Sequence, residues 1–349
     1  MVFIITGILS CSRGVIEPDV PGDSSDGNIP LNFTTYVDAV KSNSLINNTD
    51  DLQSYSISLL ANASIQGGVY DVFNNDRLDF NSTDDIWSYG TSRYWIPGAR
   101  YSFAAFAPYA STNGSSAGVG NTLSNGTVSY SSNEGIPVLT ITDYNTGKFD
   151  PGNTEIDARS EDLLVAHYVR DNSHSNDYST VPLTFSHILS CVTFSIRNTT
   201  NDDITKVSAI TLEGLKYECD ITLNTTSVSI EAQNETGDIT SADRTPEAGA
   251  TSFLPKGMAE TDYKPLFDCE ILTLLPQMLY GNDDIRLTFK VHKGAGDVSG
   301  TTYTLNLGNI ETIREWKQGI RYNYSMTITS TDIIFQVVEV PWIEHDVEL

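Results

Sequence analysis

The stretch Val181-Pro-Leu-Thr-Phe-Ser-His-Ile-Leu-Ser-Cys-Val-Thr-Phe-Ser-Ile196 decides the fold class. Val181, Leu183 and Phe185 alternate with Pro182, Thr184 and Ser186, and Val192, Phe194 and Ile196 alternate with Thr193 and Ser195. Successive side chains of a strand point to opposite faces, so this pattern lays one apolar and one polar face on an extended chain. The residues that fill it, β-branched and aromatic, are those that suit a pleated surface. The same period or an apolar run recurs in residues 55–59, 100–106, 204–215, 217–223, 285–292 and 302–307. Asn113-Gly114, Asn125-Gly126, Pro151-Gly152 and Gly281-Asn282 punctuate these runs as tight turns. No stretch of about ten residues or more carries a capped amphipathic helical stripe. The expected fold class is all-β, built as two tandem β-sandwiches.

Length and composition bound the function. The 349 residues suffice for about two domains of ~150 residues. Against 20 Lys and Arg stand 45 Asp and Glu, a formal charge of −25, and no basic run interrupts it. Nucleic acid and anionic lipid surfaces would repel such a chain. Hydrophobic residues at 39% support sizeable cores, while only 19% are charged, so Ser, Thr and Asn must supply the polar surface. The chain contains no P-loop, G-x-S-x-G elbow, Gly-rich dinucleotide turn or HExxH, so no enzyme, cofactor or catalytic residue is assigned. Asp202-Asp203 and Asp283-Asp284 sit beside turn residues and read as solvated doublets. Asp143, Asn145 and Gly147 begin like a calcium loop, but Lys148 and Thr154 stand where an EF-hand needs Gly and Glu. His167, His174, His292 and His345 show no ligand spacing, and no metal site is expected.

The N-terminus points to export. Residues 2–9 form an apolar run far below the ~20 residues of a membrane-spanning helix, and residues 1–10 read as a signal peptide. Ile8-Leu9-Ser10-Cys11 resembles a bacterial lipobox, which makes the thiol of Cys11 the candidate lipidation site and its acyl chains the only membrane contact. Residues 11–28, with Pro18, Pro21 and several Gly, Ser and Asp, read as a flexible tether. The polar stretch 170–179 is the expected boundary between sandwiches at 29–179 and 180–349. Setting Cys11 aside leaves Cys191, Cys219 and Cys269, an odd set that allows at most one bridge. Cys191 and Cys219 fall on apolar strand faces, which favours buried free thiols over a disulfide.

Several clusters have two readings. Tyr94 and Trp95, with Tyr101, Phe103 and Phe106, form either core or a stacking platform for sugar rings, Tyr94 and Trp95 being the candidate glycan contacts. His187 shares an alternation with Phe185 and Leu189 and reads as a half-buried ring bonded to backbone. Residues 333–340 are apolar on both faces, with Ile333, Phe335 and Val337 on one and Ile334, Val338 and Val340 on the other. Such a strand must be covered twice or become an aggregation-prone edge. It is either an ordinary last strand or a donor strand that completes the sheet of a neighbouring subunit.

Pieces spaced over almost the whole chain resemble one family. They are the lipobox leader, a strand at 29–36 followed by Lys41, and Tyr94-Trp-Ile-Pro97 leading into Tyr101-Ser-Phe-Ala-Ala-Phe-Ala-Pro108. Further along come Asp162-Leu-Leu164, Leu183-Thr-Phe-Ser-His187, Trp316-Lys-Gln-Gly-Ile-Arg-Tyr-Asn-Tyr324 and Val340-Pro-Trp342. In this order they resemble the fimbrillin-like proteins, the pilin type of Bacteroidales fimbriae. The resemblance implies two transthyretin-like β-sandwich domains and export as a lipoprotein to the outer membrane and the fimbrium. It also implies other pilin subunits as partners, with a host or bacterial surface ligand, and assembly by strand exchange once a trypsin-like protease removes an N-terminal segment. Arg13 lies too close to Cys11 for cleavage there to release a strand, so Lys41 is the candidate cleavage site, a plain surface lysine being the other reading. The function expected is that of a non-catalytic pilus subunit or pilus-associated adhesin. The alternative is a surface glycan-binding lipoprotein that does not polymerise.

Overall fold

The computed structural model describes residues 29–37, 46, 48–111, 122–123, 125–146, 161–268, 271–294 and 296–341. The signal and tether segments, Cys11, Lys41, Lys148, Thr154, Cys269, Trp342 and His345 lie outside the described residues.

Among the described residues the regular secondary structure is nearly all strand, as the alternation predicts. The first nine strands are β1 Phe33–Val37, β2 Ile57–Ile65, β3 Gly68–Asn81, β4 Ile86–Tyr89, β5 Arg100–Ala107, β6 Thr127–Asn133, β7 Ile136–Asn145, β8 Leu164–Asp171 and β9 Val181–His187. Next come β10 Ser190–Asn198, β11 Ile204–Lys216, β12 Glu218–Asn224, β13 Val228–Ala232, β14 Thr236–Ser241, β15 Lys264–Pro265 and β16 Leu272–Leu274. The last six are β17 Gln277–Met278, β18 Arg286–Lys293, β19 Thr301–Asn306, β20 Glu315–Trp316, β21 Ile320–Ile328 and β22 Ile333–Pro341. A short α-helix, α1 Thr49–Leu52, follows β1, with Asn48 accepting the Asp51 N–H as its cap.

The largest sheet has seven strands in the order β1-β9-β8-β5-β2-β3-β4. Its centre is buried on both faces. Leu59, Ala61, Ala63, Tyr101, Phe103 and Ala105 belong to one core, whereas Leu60, Ala104 and Phe106 belong to a second. This explains why residues 100–106 run apolar rather than alternate, and why small alanines recur among the aromatic rings. The second core is closed by the sheet β13-β12-β7-β6. A third core lies between β15-β10-β21-β22, which β16 joins at β10, and β14-β11-β18-β19.

The expected boundary at 179/180 does not fall between sheets. β9 lies beyond it yet runs parallel to β1, Phe33 opposite Val181 through Val37 opposite Phe185. β12 pairs with β7 from Glu218 opposite Asn145 to Asn224 opposite Val138. The polar stretch 170–179 is a corner inside the first sheet. Arg170 donates to the carbonyls of Ser179 and Thr180, and the Asn172 amide donates to Asp177 O at 2.9 Å. The polar residues there bond to one another, which composition alone cannot distinguish from a linker.

Phe103 is fully buried with ring centroids of Tyr101, Phe33 and Trp95 at 5.6, 5.9 and 6.2 Å. Phe103→Ala is expected to cost about 3–5 kcal/mol, read as a lower urea midpoint with an unchanged m-value.

Candidate functional site

β1 is the seam of the first sheet. It is hydrogen-bonded to β9 on one side only, and its other side meets β4, whose sheet partner is β3. Phe33, Thr35 and Val37 point inward and are buried, while Thr34 and Tyr36 point out and are exposed. The Phe33 ring meets Phe73, Tyr89 and Phe103 edge-on at 5.7, 5.9 and 5.9 Å. Across the seam the Trp87 indole N–H donates to Thr35 Oγ1 at 3.0 Å, and Tyr89 O–H donates to Leu31 O at 2.8 Å. Both contacts join β4 to the β1 segment without a strand ladder. The sequence reading of a strand at 29–36 contracts to Phe33–Val37, because residues 29–31 instead bond to the chain around Arg93 and Trp95.

Val37 and Ile46, the described residues on either side of 38–45, each make a side-chain-anchored hydrogen bond. Val37 N–H donates to Thr49 Oγ1 at 3.3 Å, and Ile46 N–H donates to Asp162 Oδ2 at 3.2 Å. Lys41, between these anchors, lies outside the described residues. The other Asp162 oxygen meets His187 Nδ1 at 2.9 Å, with both side chains buried. His187 therefore departs from the expected backbone bonding: its partner is a carboxylate, which shares that charge with the Ile46 amide.

β22 is an edge strand. It pairs antiparallel with β21 from Ile333 opposite Ile328 to Pro341 opposite Ile320, and among the described residues no strand lies beyond it. Ile333 and Val337 pack partly against the third core, but Ile334, Phe335 and Val338 are 58%, 38% and 54% exposed. Of the two outcomes expected for so apolar a strand, cover on both faces or an open edge, β22 shows the open edge. Val340, the last of the candidate donor residues, is half-buried.

The aromatic pair read as a glycan platform does not form one. Trp95 is 6% exposed, its ring edge-on to Tyr101 at 4.8 Å and under the Arg170 guanidinium at 5.3 Å. Tyr94 alone reaches solvent, 42% exposed. Trp95 opens a corner that recurs in the other half, a signal missed in the sequence reading. Trp95-Ile-Pro-Gly-Ala-Arg-Tyr101 and Trp316-Lys-Gln-Gly-Ile-Arg-Tyr322 keep Trp, Gly, Arg and Tyr in step. In both the glycine has positive φ, +76° at Gly98 and +66° at Gly319, a conformation that costs glycine little. In both the tyrosine hydroxyl accepts the N–H of the residue after Trp, Ile96 to Tyr101 at 2.8 Å and Lys317 to Tyr322 at 2.9 Å. Burial pushes each phenol up to about 12, so the hydroxyls stay neutral.

Cys191 and Cys219 are buried free thiols, pushed up to about 12 by burial. Among the described residues no group of three or more His, Cys, Asp or Glu is placed to hold a metal ion.

A family model described as fimbrillin-like matches residues 42–342. Among solved structures, a fimbrial protein from Bacteroides vulgatus is 16% identical, covers 90% of this chain and 99% of its own, and superposes with a TM-score of 0.54. A candidate cell adhesion protein from Bacteroides uniformis is 15% identical, with coverage of 92% and 100% and a TM-score of 0.48. At such identities the likeness to the first shows the fold alone. No curated protein matches.

Thr35→Val removes the acceptor of a buried indole N–H and is expected to destabilise β1 by about 1–3 kcal/mol. Faster hydrogen exchange at residues 33–37, with the third core unchanged, is the measurement that checks it.

Proposed function

The chain belongs to the fimbrillin-like family, and on that premise we propose that it is a surface lipoprotein that serves as a pilus subunit or pilus-associated adhesin, joined to its neighbours by β-strand exchange. The family is one of fimbrial structural proteins rather than enzymes, so the work is mechanical. The observation that carries the reading is β22, a nine-residue strand with apolar side chains on both faces, bonded along one edge and uncovered along the other. A strand of that kind is suited to completing another sheet, where backbone ladders give affinity and alternate side chains give register.

β1 supplies the matching half. Cleavage after Lys41 would free it from the rest of the chain, and its withdrawal would leave the inner side chains of β9 facing Trp87 and Phe73 across a groove open along its length. That groove is long enough for a five-residue ladder. Lipidation at Cys11 would hold the precursor at the outer membrane until cleavage released it into a fimbrium of like subunits. The glycan-binding alternative loses its basis with Trp95 buried.

Deleting residues 333–349 is expected to leave a folded, soluble monomer by circular dichroism and to abolish polymers in electron micrographs after limited trypsin treatment. Polymers of undiminished length from the truncated chain would sink the strand-exchange reading.

A further inference from the structure

The inner face of β1 reads apolar, hydroxyl, apolar: Phe33, Thr35 and Val37. The hydroxyl is not incidental, because Thr35 Oγ1 is the acceptor of the Trp87 N–H inside the core, where both residues are buried. Any strand that replaces β1 must present an acceptor at this position or leave a buried donor unmade.

β22 carries one uncharged residue able to do so with an apolar neighbour on either side. One of its faces holds Ile333, Phe335, Val337 and Glu339, opposite the core-facing Ile328, Met326, Tyr324 and Tyr322 of β21. The other holds Ile334, Gln336 and Val338, opposite Thr327, Ser325 and Asn323. On this second face the apolar side chains of β22 meet a polar row of their own sheet, so packing within the subunit does not explain them. Ile334, Gln336 and Val338 are all exposed. Their order, apolar, acceptor, apolar, is that of Phe33, Thr35 and Val37, and it reads the same in either strand direction.

We infer that Gln336 sets the register of the exchanged strand, its side-chain carbonyl taking the place of Thr35 Oγ1 as acceptor for Trp87 Nε1 in the groove of a second copy of the chain. The inference rests on the strand-exchange reading above and adds to it the residue that selects one pairing. A shift of one residue turns the other face inward. It sets Val337 or Phe335 against the indole N–H, which then lacks an acceptor. A shift of two keeps the face but puts Ile334 or Val338 against Trp87 and moves the Gln336 amide to the place of Phe33 or Val37. Each alternative leaves the Trp87 N–H without an acceptor; the register centred on Gln336 supplies one.

The test uses the full-length chain, activated by limited trypsin digestion, with polymer yield read by size-exclusion chromatography. Gln336→Leu, at an exposed site of the monomer, is expected to lower the yield about tenfold, the effect of one unsatisfied buried donor. Adding Trp87→Phe, which deletes the donor, is expected to restore most of it. Exchange itself is read separately, by disulfide formation between Thr184→Cys of one copy and Val337→Cys or Phe335→Cys of the next, the two neighbours of Gln336 that would lie opposite Thr184 in the two strand directions. Cross-links that form while Gln336→Leu polymerises like the wild type, or a loss that Trp87→Phe does not reverse, would overturn the register and leave strand exchange standing. No cross-link in either variant, with polymers persisting after deletion of residues 333–349, would overturn both.

Discussion

A seven-stranded sheet closed on itself by one five-residue strand is the constraint on which the rest of this structure depends. The open edges of β9 and β4 would expose unpaired backbone groups and the rings of Phe73, Trp87 and Phe103 to water. β1 closes both, but by different means. Toward β9 it supplies a parallel ladder; toward β4 it supplies side chains, chiefly Phe33 and the Thr35 acceptor. Nothing in that list depends on β1 being part of the same chain. The site asks for an extended backbone with alternate residues of the right chemistry, which makes the first core completable by a segment from elsewhere.

The two ends of the molecule answer this differently. In the first half the strand after the Trp-x-x-Gly-x-Arg-Tyr corner, β5, is flanked by β8 and β2, and the sheet continues past β8 through β9 to β1. In the second half the strand after the equivalent corner, β21, is flanked by β10 and β22, and the sheet stops at β22. An antiparallel strand therefore lies beside each corner strand, but only the first is itself covered. The hydroxyls of Tyr101 and Tyr322 fix both corners by the same bond to a main-chain N–H, so the difference lies beyond the corner.

Much of this was legible in the sequence because strand periodicity is local. Residues 181–196 announce β9 and β10 by alternation alone, and 333–340 announce an apolar two-faced strand. What alternation cannot give is the partner of a face. Phe185 and Cys191 belong to one alternating run, yet they enter different cores, because Ile188 and Leu189 carry the chain from one to the next. The pairing of β1 with β9 spans most of the first half of the chain and leaves no local trace. Arg170 reads as part of a polar linker until its guanidinium is seen over Trp95 and Tyr168. Asp162 was visible only as the start of a motif, since its bonds to His187 and Ile46 join segments far apart in sequence. The corner repeat is thin in the sequence: four shared residues among seven, separated by unlike neighbours.

The charge of −25 bears on why an amide should hold the register. Like-charged subunits repel, so contacts between them must come from ladders and apolar side chains, and screening by salt should favour them. A carboxylate would accept the Trp87 N–H as readily as an amide does. Placed in that groove it would also have to shed its water, and would add to the repulsion between subunits. Glu339 lies on the other face of β22 and near its end, where Lys317 Nζ approaches it at 3.7 Å in solvent. In the proposed exchange Gln336, neutral and central, would offer Trp87 an acceptor without burying a charge, so in a strongly acidic protein an amide would let register be specified by hydrogen bonding while charge is kept to the outside.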